Sequence, residues 1–377
     1  MLQIQHQKNK KNIMKDIFNR TGKIALMLIV VGVVLIIISF IADSQRAYFN
    51  YLLMFVYIVS IGVGTLAIVA MDYMTDAIWS TPFRRIAEIL SSSIVALPLL
   101  AIPLLFGMGT LYPWTHTDIV SADKVLSGKS PYLNTTFFII RLYVYIIIWM
   151  IFYFKITGNS QKQDITKEFS LFKKNIKLSM AFAPVLFITL TFAAIDLMMS
   201  LTPHWYSTIF GVYYFAGSAV GALAIWSFTS ATLTTKKLLP PAVKPIMFHS
   251  MGTLFFAMIV FWAYIAFSQY LLIWYGDIPE ETIWYHTRTN NGWQYLSIAS
   301  IFYHFLIPFL VLMPGIAKSN LKVLKVMGVF MLVAHYLDLY WLVMPGMKRA
   351  LTFGWYELGF IIFIIGFFIL VFKYKAS

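Results

Sequence analysis

Long apolar runs separated by short polar segments make up the sequence from residue 24 onward. A helix needs roughly 20 apolar residues to cross the hydrocarbon core of a bilayer. On this criterion the runs predict spans at 24–42, 50–71, 86–106, 133–154, 178–200, 206–230, 246–273, 294–314, 323–344 and 355–372. Prolines, which interrupt helices, lie at or beside the proposed ends: Pro82, Pro131, Pro240, Pro241, Pro314 and Pro345. No run alternates like a barrel strand, so the pattern predicts an all-α integral membrane protein of about ten transmembrane helices.

The composition agrees with this class. Only 12% of the 377 residues are charged, 60% are hydrophobic and the mean hydropathy is +0.77, whereas a soluble domain carries about 25% charged residues. The chain has no cysteine. Iron–sulfur clusters, thiolate zinc sites, disulfides and covalently attached c-type haem are therefore excluded from this chain.

The basic residues predict an orientation. Of the 29 Lys and Arg residues, 22 lie in segments on the side of the N-terminus and six lie on the opposite side. Positive residues are retained in the cytoplasm, so both termini are expected there. Residues 1–22 then form a cytoplasmic basic tail and residues 23–377 a single polytopic membrane domain. The net charge of +14 accordingly reflects the orientation of the chain and contact of its basic residues with lipid headgroups, and we expect no nucleic-acid binding.

Two features indicate further organisation. The outer loops 107–132 and 274–292 are rich in Trp, Tyr and acids, which is typical of segments that rest on the membrane interface or dock a partner. The motifs DLMMSLTP, from Asp196, and DLYWLVMP, from Asp338, place a Pro seven residues after an Asp. They indicate a parallel repeat in which 50–200 and 206–344 form two four-helix bundles.

Five ionisable residues fall inside predicted spans, in the outer half of the bilayer: Arg141, Asp196, His304, His335 and Asp338. Charged groups in hydrocarbon face the bundle interior and mark pathways or partners. One interpretation is an Arg–Asp pair and hydrogen-bonded histidines that only join spans. The other is a proton path, which is favoured by the spacing of His335 and Asp338 because residues i and i+3 share a helix face.

Other candidate sites are weaker. Glu88 and His249 lie near the inner rim, where they could feed an inner half-channel or simply lie among lipid headgroups. His304 and His335 lie on adjacent spans at overlapping depths, so both could ligate one haem, but the seven His of the chain are too few for a multihaem cytochrome b. No catalytic triad, phosphate loop or metal-ligand cluster is evident in the sequence.

Five stretches together resemble a known family. They are LYPWTH (111–116), SPYLNTTFFIIR (130–141), SLTPHWYSTIFGVYYFAGS (200–218), FSQYLLIWYGDIPEE (267–281) and HYLDLYWLVMP (335–345). The chain resembles the NrfD-like, polysulfide-reductase-type membrane subunits of bacterial alternative complex III, and it is most similar to the shorter of the two such chains in that complex. The resemblance runs from about residue 50 to the end and includes Arg141, Asp196, His335 and Asp338.

The resemblance implies a membrane subunit of a quinol:cytochrome c, or quinol:oxidase, oxidoreductase in the bacterial inner membrane. Such a subunit carries no redox cofactor and is not catalytic alone. It anchors periplasmic redox subunits and has a proposed proton-path role. The implied partners are a second NrfD-like subunit with the quinol site, a multihaem cytochrome, an iron–sulfur subunit, a monohaem cytochrome c and, in some complexes, a terminal oxidase. Haem c and iron–sulfur clusters are expected in those partners, with menaquinol or another quinol as the substrate.

Two departures and one alternative remain. The family commonly has an acid where this chain has Thr202, and the loop 43–49 is shorter than the His-rich loop of usual members. An acidic exit group before the PHW motif is therefore not expected. The alternative function is a stand-alone secondary transporter that couples ions through the buried Asp, His and Arg. Transporters typically have spans broken at the midplane, whereas the Gly and Pro interruptions here lie mostly at predicted span ends.

Overall fold

The computed structural model describes residues 2–239 and 243–376, and the side chains of residues 21–239 and 243–375. Pro240 and Pro241 lie outside the described residues, and the basic side chains of the predicted tail up to Arg20 are not described either. Over the described ranges the chain is helical without any strand, and ten helices are long and apolar enough to cross a membrane. The all-α class and the ten candidate spans are thereby confirmed.

The spans are numbered here in chain order. They run Thr21–Ala42 (span 1, within a helix from Leu2), Ser44–Thr75 (span 2), Thr81–Phe106 (span 3), Thr135–Thr166 (span 4), Phe169–Leu201 (span 5), Phe210–Thr235 (span 6), Pro245–Gly276 (span 7), Trp293–Leu312 (span 8), Leu321–Met347 (span 9) and Trp355–Lys375 (span 10). Shorter helices occupy connecting segments, at Met108–Leu111, Thr117–Ala122, Lys124–Lys129, Pro279–His286 and Gly315–Ser319.

Several helices extend past the predicted ends. Span 4 continues to Thr166, and span 5 begins at Phe169 rather than at 178, because polar residues at a helix end leave the membrane without breaking the helix. Span 2 begins at Ser44 instead of 50. The reason is an ion pair that hydropathy cannot show: buried Arg46 lies 2.8 Å from Glu357, which is fully buried.

Spans 2 and 6 form the centre of the protein. In their most apolar stretches 94% and 83% of the residues are buried. Span 2 contacts spans 1, 3, 5, 6, 9 and 10, and span 6 contacts spans 3, 5, 7 and 9. Small residues allow this close approach, which is how helices associate in lipid. A Cβ on Gly64 would lie 2.7 Å from the Ser218 carbonyl oxygen, and one on Gly328 would lie 2.8 Å from that of Ala224.

Loops interlock at one end of the helices, which we call the capped end. Its segments are 107–134, 198–209, 277–292 and 344–354, and they are joined by the bonds Asp123–His204, Trp205–Glu281 and Asn291–Leu351. Arg288, 3% exposed, donates to the carbonyls of Trp284, Trp341 and Leu342 and lies 3.3 Å over the Trp284 ring. Burial lowers the pKa of Arg288 to about 9, so the guanidinium remains charged at neutral pH and holds the end of the span 9 helix.

Candidate functional site

Three titratable side chains meet in the interior between spans 6, 7, 8 and 9. His304 of span 8 and His335 and Asp338 of span 9 each place a potential ligand atom within 4.8 Å of the others. The two histidines are fully buried and Asp338 is 2% exposed. These three residues are called the His–Asp cluster below. The sequence predicted that His335 and Asp338 share a helix face, and the structure adds His304 to them.

Asp338 receives hydrogen bonds only from neutral groups among the described residues. The Tyr213 hydroxyl of span 6 donates to Oδ1 at 2.6 Å, and the Trp262 indole Nε1–H of span 7 donates to Oδ2 at 3.2 Å. No described Lys or Arg forms an ion pair with this carboxyl. A buried carboxylate without a counter-charge is very costly, so the geometry indicates that a cation or a proton neutralises it.

His335 is held in one tautomer by span 2. Its Nε2 lies 2.8 Å from the Ser60 hydroxyl oxygen, and that hydroxyl donates its single hydrogen to the Tyr57 carbonyl at 2.7 Å. Because a serine has only one O–H to donate, Nε2 of His335 must be the donor to Ser60. In the neutral ring Nδ1 is then the unprotonated acceptor, and it has no hydrogen-bond partner among the described residues.

Two glycines of span 6 make room for this arrangement. A Cβ on Gly221 would lie 2.7 Å from Cδ2 of His335, so only glycine lets the imidazole pack there. A Cβ on Gly217 would lie 3.4 Å from Nδ1 of His335 and 3.5 Å from Oδ2 of Asp338. The free nitrogen and the carboxyl oxygen therefore face the same space beside Gly217.

His304 lies at an irregular turn of span 8. Residues Ile301–Leu306 form a π-helical turn in which the Ile307 N–H donates to the Phe302 carbonyl. Pro308 follows, and in a regular α-helix its ring would clash with the carbonyl of His304, four residues earlier. The wider turn avoids this clash, and such turns are frequent at functional sites. His304 stacks on Trp262 at 3.6 Å between ring centroids, and neither of its ring nitrogens has a partner among the described residues.

Arg141 and Asp196 form a separate, fully paired site between spans 4 and 5. Arg141 binds both carboxylate oxygens of Asp196, Nε to Oδ2 at 2.8 Å and Nη2 to Oδ1 at 2.9 Å. The Tyr145 hydroxyl donates to Oδ2 at 2.9 Å, and Nη1 of Arg141 donates to the Tyr132 carbonyl at 2.8 Å. The five predicted residues are thus divided between a closed ion pair and the His–Asp cluster.

Glu88 and His249 lie away from the capped end. Glu88 is 4% exposed and forms an ion pair at 2.5 Å with Arg85, which also binds Asp164. His249 is half-buried near the start of span 7, beside Gly315. The structure does not bring either residue to the His–Asp cluster, so the residues described here give no continuous inner route through them.

The His–Asp cluster can also be judged as a metal or haem site. Two imidazoles and a carboxylate suit a divalent transition metal, but ligands at about 2.1 Å from a tetrahedral ion lie only about 3.4 Å apart. The atoms here are separated by up to 4.8 Å, a distance that one bridging water spans with two hydrogen bonds of about 2.8 Å. The Trp262 indole, stacked on His304 at 3.6 Å between ring centroids, occupies one face of that imidazole. The separations therefore suit a bridging water better than a tetrahedral metal ion.

Sequence reasoning missed the groups that hold this cluster. Ser60, Tyr213 and Trp262 lie in long apolar runs of three other spans, where they look like ordinary lipid-buried residues. The one available signal was that buried Tyr and Trp need a hydrogen-bond acceptor, and an intramembrane Asp can provide it. Asp72, which is fully buried and 3.7 Å from Arg84, was also missed.

Comparison with models of known protein families and with curated protein sequences found no match to this chain. The motifs that carry the resemblance do meet in space. Trp205, within the PHW motif, stacks on Trp284 at 4.5 Å and donates to the Glu281 carbonyl at 3.1 Å. Two motifs that are distant in sequence, 200–218 and 267–281, are therefore in contact at the capped end.

Proposed function

We propose that this chain is the proton-conducting membrane subunit of a quinol-oxidising complex of the alternative complex III type. The observation that carries the proposal is the contrast between its two deeply buried outer acids. Asp196 is neutralised by Arg141, whereas Asp338 has two neutral donors and lies within 4.8 Å of ring nitrogens of His304 and His335.

A proton is the cation that best fits the space around Asp338. Leaving the carboxylate charged in a dry interior would cost several kcal/mol, and a proton removes that cost reversibly. With Nε2–H bound to Ser60, Nδ1 of His335 accepts a proton from the carboxyl through one water, and His304 offers a second acceptor. Imidazole titrates near neutral pH in water, so it suits exchange with a carboxyl.

The same residues position the relay. Ser60 fixes the His335 tautomer, Tyr213 and Trp262 fix the carboxyl, and Gly221 gives the imidazole its place. These groups come from spans 2, 6 and 7, so a change in the packing of those helices alters the distances within the cluster. Such coupling lets quinol oxidation in a partner subunit drive proton transfer here.

The wider assignment follows the resemblance and the packing. Spans 2–5 and 6–9 are proposed as two four-helix bundles that meet where span 2 packs on span 6. The termini are placed in the cytoplasm of a bacterium and the capped end in the periplasm. There the segments 107–132 and 274–292 would anchor the haem c and iron–sulfur subunits, with a second NrfD-like subunit in the membrane and quinol as substrate.

A stand-alone secondary transporter is the second candidate, and one observation favours it. Spans 3 and 8 are interrupted inside the membrane, by the 3-10 turn Ser92–Ala96 and the π turn Ile301–Leu306. Broken spans are typical of transporter sites. The interruption in span 8 is a single turn, however, and the helix resumes at Ile307 and runs to Leu312.

Co-purification separates the two candidates. The chain is tagged at its C-terminus in its native host, extracted in a mild detergent and resolved on a native gel. The proposal predicts that cytochrome c and iron–sulfur chains migrate with it in fixed stoichiometry and that the assembly oxidises quinol. A chain that migrates alone, and that transports a solute after reconstitution, would contradict the proposal and support the transporter.

A further inference from the structure

A small cavity with a mixed polar and apolar lining lies at the capped end, outside the His–Asp cluster. Its volume is about 180 Å³, and its polar lining includes Ser207, Thr208, Gln269 and Glu281. Thr208 is exposed, and Ser207 and Glu281 are half-buried, so they mark the mouth. This cavity is called the vestibule below. Its volume is enough for several waters, each of which occupies about 30 Å³ in the liquid.

Gln269 forms the inner wall of the vestibule, and its amide completes no hydrogen bond with a described residue. It is 1% exposed. The Tyr285 side chain interacts with this amide without completing a hydrogen bond to it. A buried amide left without hydrogen bonds is costly, so a buried Gln that lines a cavity indicates a polar ligand, and water is the ligand that fits.

Spans 6 and 7 contribute both to the vestibule and to the groups that hold Asp338. Ile209 lines the vestibule, and Tyr213, whose hydroxyl binds Asp338, follows one helical turn later. Gln269 and Trp262 are seven residues apart on span 7, so they share a face and are separated by about 10.5 Å along the axis. Trp262 also donates to Asp338. Gln269 therefore lies about two turns nearer to the capped end than Trp262, which donates to the carboxyl.

We propose that the vestibule is the aqueous access route by which protons pass between the capped-end surface and Asp338, with Gln269 as the hydrogen-bonding link. This inference rests on the proposed proton-conducting function. It assigns Gln269 as a positioning residue, since the amide orders the water that delivers or removes the proton.

The absence of cysteine from the chain gives a direct test of water access. Single variants Gln269→Cys, Thr208→Cys and Leu271→Cys are made in the full chain, and membranes are treated with a charged, membrane-impermeant methanethiosulfonate on the capped-end side. Leu271 is 40% exposed on the opposite face of span 7 at about the same depth as Gln269. Only a thiolate in water reacts rapidly.

Gln269→Cys is expected to react within roughly tenfold of the rate of Thr208→Cys at the mouth, and at least about a hundredfold faster than Leu271→Cys, because thiolate formation needs water. Ile273→Cys, at a buried position of the vestibule lining that is 6% exposed, is expected to react like Gln269→Cys, and it provides the test if Gln269→Cys does not fold. Labelling of Gln269→Cys as slow as that of Leu271→Cys would overturn the access route.

The failure of this inference is distinguishable from failure of the proposed function. Labelling of Gln269→Cys is expected to persist when Asp338→Asn is added, because access does not depend on the relay. Rapid labelling with proton release unaffected by Asp338→Asn would leave the vestibule intact and contradict the proton-conducting function. Slow labelling of Gln269→Cys, with proton release abolished by Asp338→Asn, would contradict the access route and support the proton-conducting function.

Discussion

Replacing each buried acid by Asn separates a structural carboxylate from a proton-exchanging one. In Asp196→Asn the Arg141 guanidinium, 7% exposed, loses a two-point ion pair with bonds of 2.8 and 2.9 Å. Removing one partner of a buried ion pair costs about 3–5 kcal/mol, because the other charge is left uncompensated. That loss is a large part of the stability of most folded proteins, which is about 5–15 kcal/mol.

Asp338→Asn removes fewer stabilising interactions than Asp196→Asn. The amide oxygen still accepts the Tyr213 hydroxyl, and only the weaker bond from Trp262, at 3.2 Å, is opposed by the new NH₂ group. Losing one neutral hydrogen bond costs about 1 kcal/mol. We therefore expect Asp196→Asn to be destabilised by about 2–4 kcal/mol more than Asp338→Asn.

The assay is unfolding in mixed micelles of rising SDS fraction, with the yield of assembled complex as a second readout. Asp118→Asn is the control, since Asp118 is exposed at the capped end. Asp196→Asn should unfold at a clearly lower SDS fraction and assemble poorly, and Asp338→Asn should resemble the control. Equal destabilisation of the two variants would refute the reasoning, because it would mean that Asp338 also has a counter-charge.

Three further predictions follow from the geometry. Gly217→Ala should keep the fold but reduce proton release severalfold, because its methyl group would occupy the space faced by Nδ1 of His335 and Oδ2 of Asp338; unchanged release would exclude a water there. The segments 107–132 and 274–292 should cross-link to extracytoplasmic redox subunits in the intact complex, and free segments in such a complex would count against the assigned docking side. The hydrogen bond from His204 holds the pKa of Asp123 below its usual range. This contact therefore stabilises the capped end at pH values above the ordinary Asp pKa, and the stabilisation is lost as the pH falls through the lowered pKa. Limited proteolysis at 107–132 should rise at acid pH in the wild type, and His204→Ala should show the faster cleavage already at neutral pH.

The spans were predictable because hydrophobic length is a property of local sequence. All ten predicted runs overlap the candidate spans of the structure. The ends of the helices were less predictable because they depend on contacts with residues that are distant in sequence. Span 2 begins six residues before the predicted start because Arg46 is neutralised by Glu357, and these two residues are 311 positions apart.

The candidate site was predictable in part for a similar reason. The spacing of His335 and Asp338 on one helix could be read from the sequence, and so could the presence of buried charges at Arg141 and Asp196. Which acid pairs with the arginine depends on how spans 4 and 5 pack. The sequence also cannot show that an apolar helix places Trp262 between a carboxyl and an imidazole, because this needs the relative positions of three spans.

The most direct test of the central claim is proton release during quinol oxidation by the purified complex in proteoliposomes, with wild type and Asp338→Asn compared at equal subunit stoichiometry. A proton-conducting role predicts that Asp338→Asn assembles normally and loses proton release together with proton-coupled turnover. Normal assembly with unchanged turnover and unchanged proton release in Asp338→Asn would contradict it.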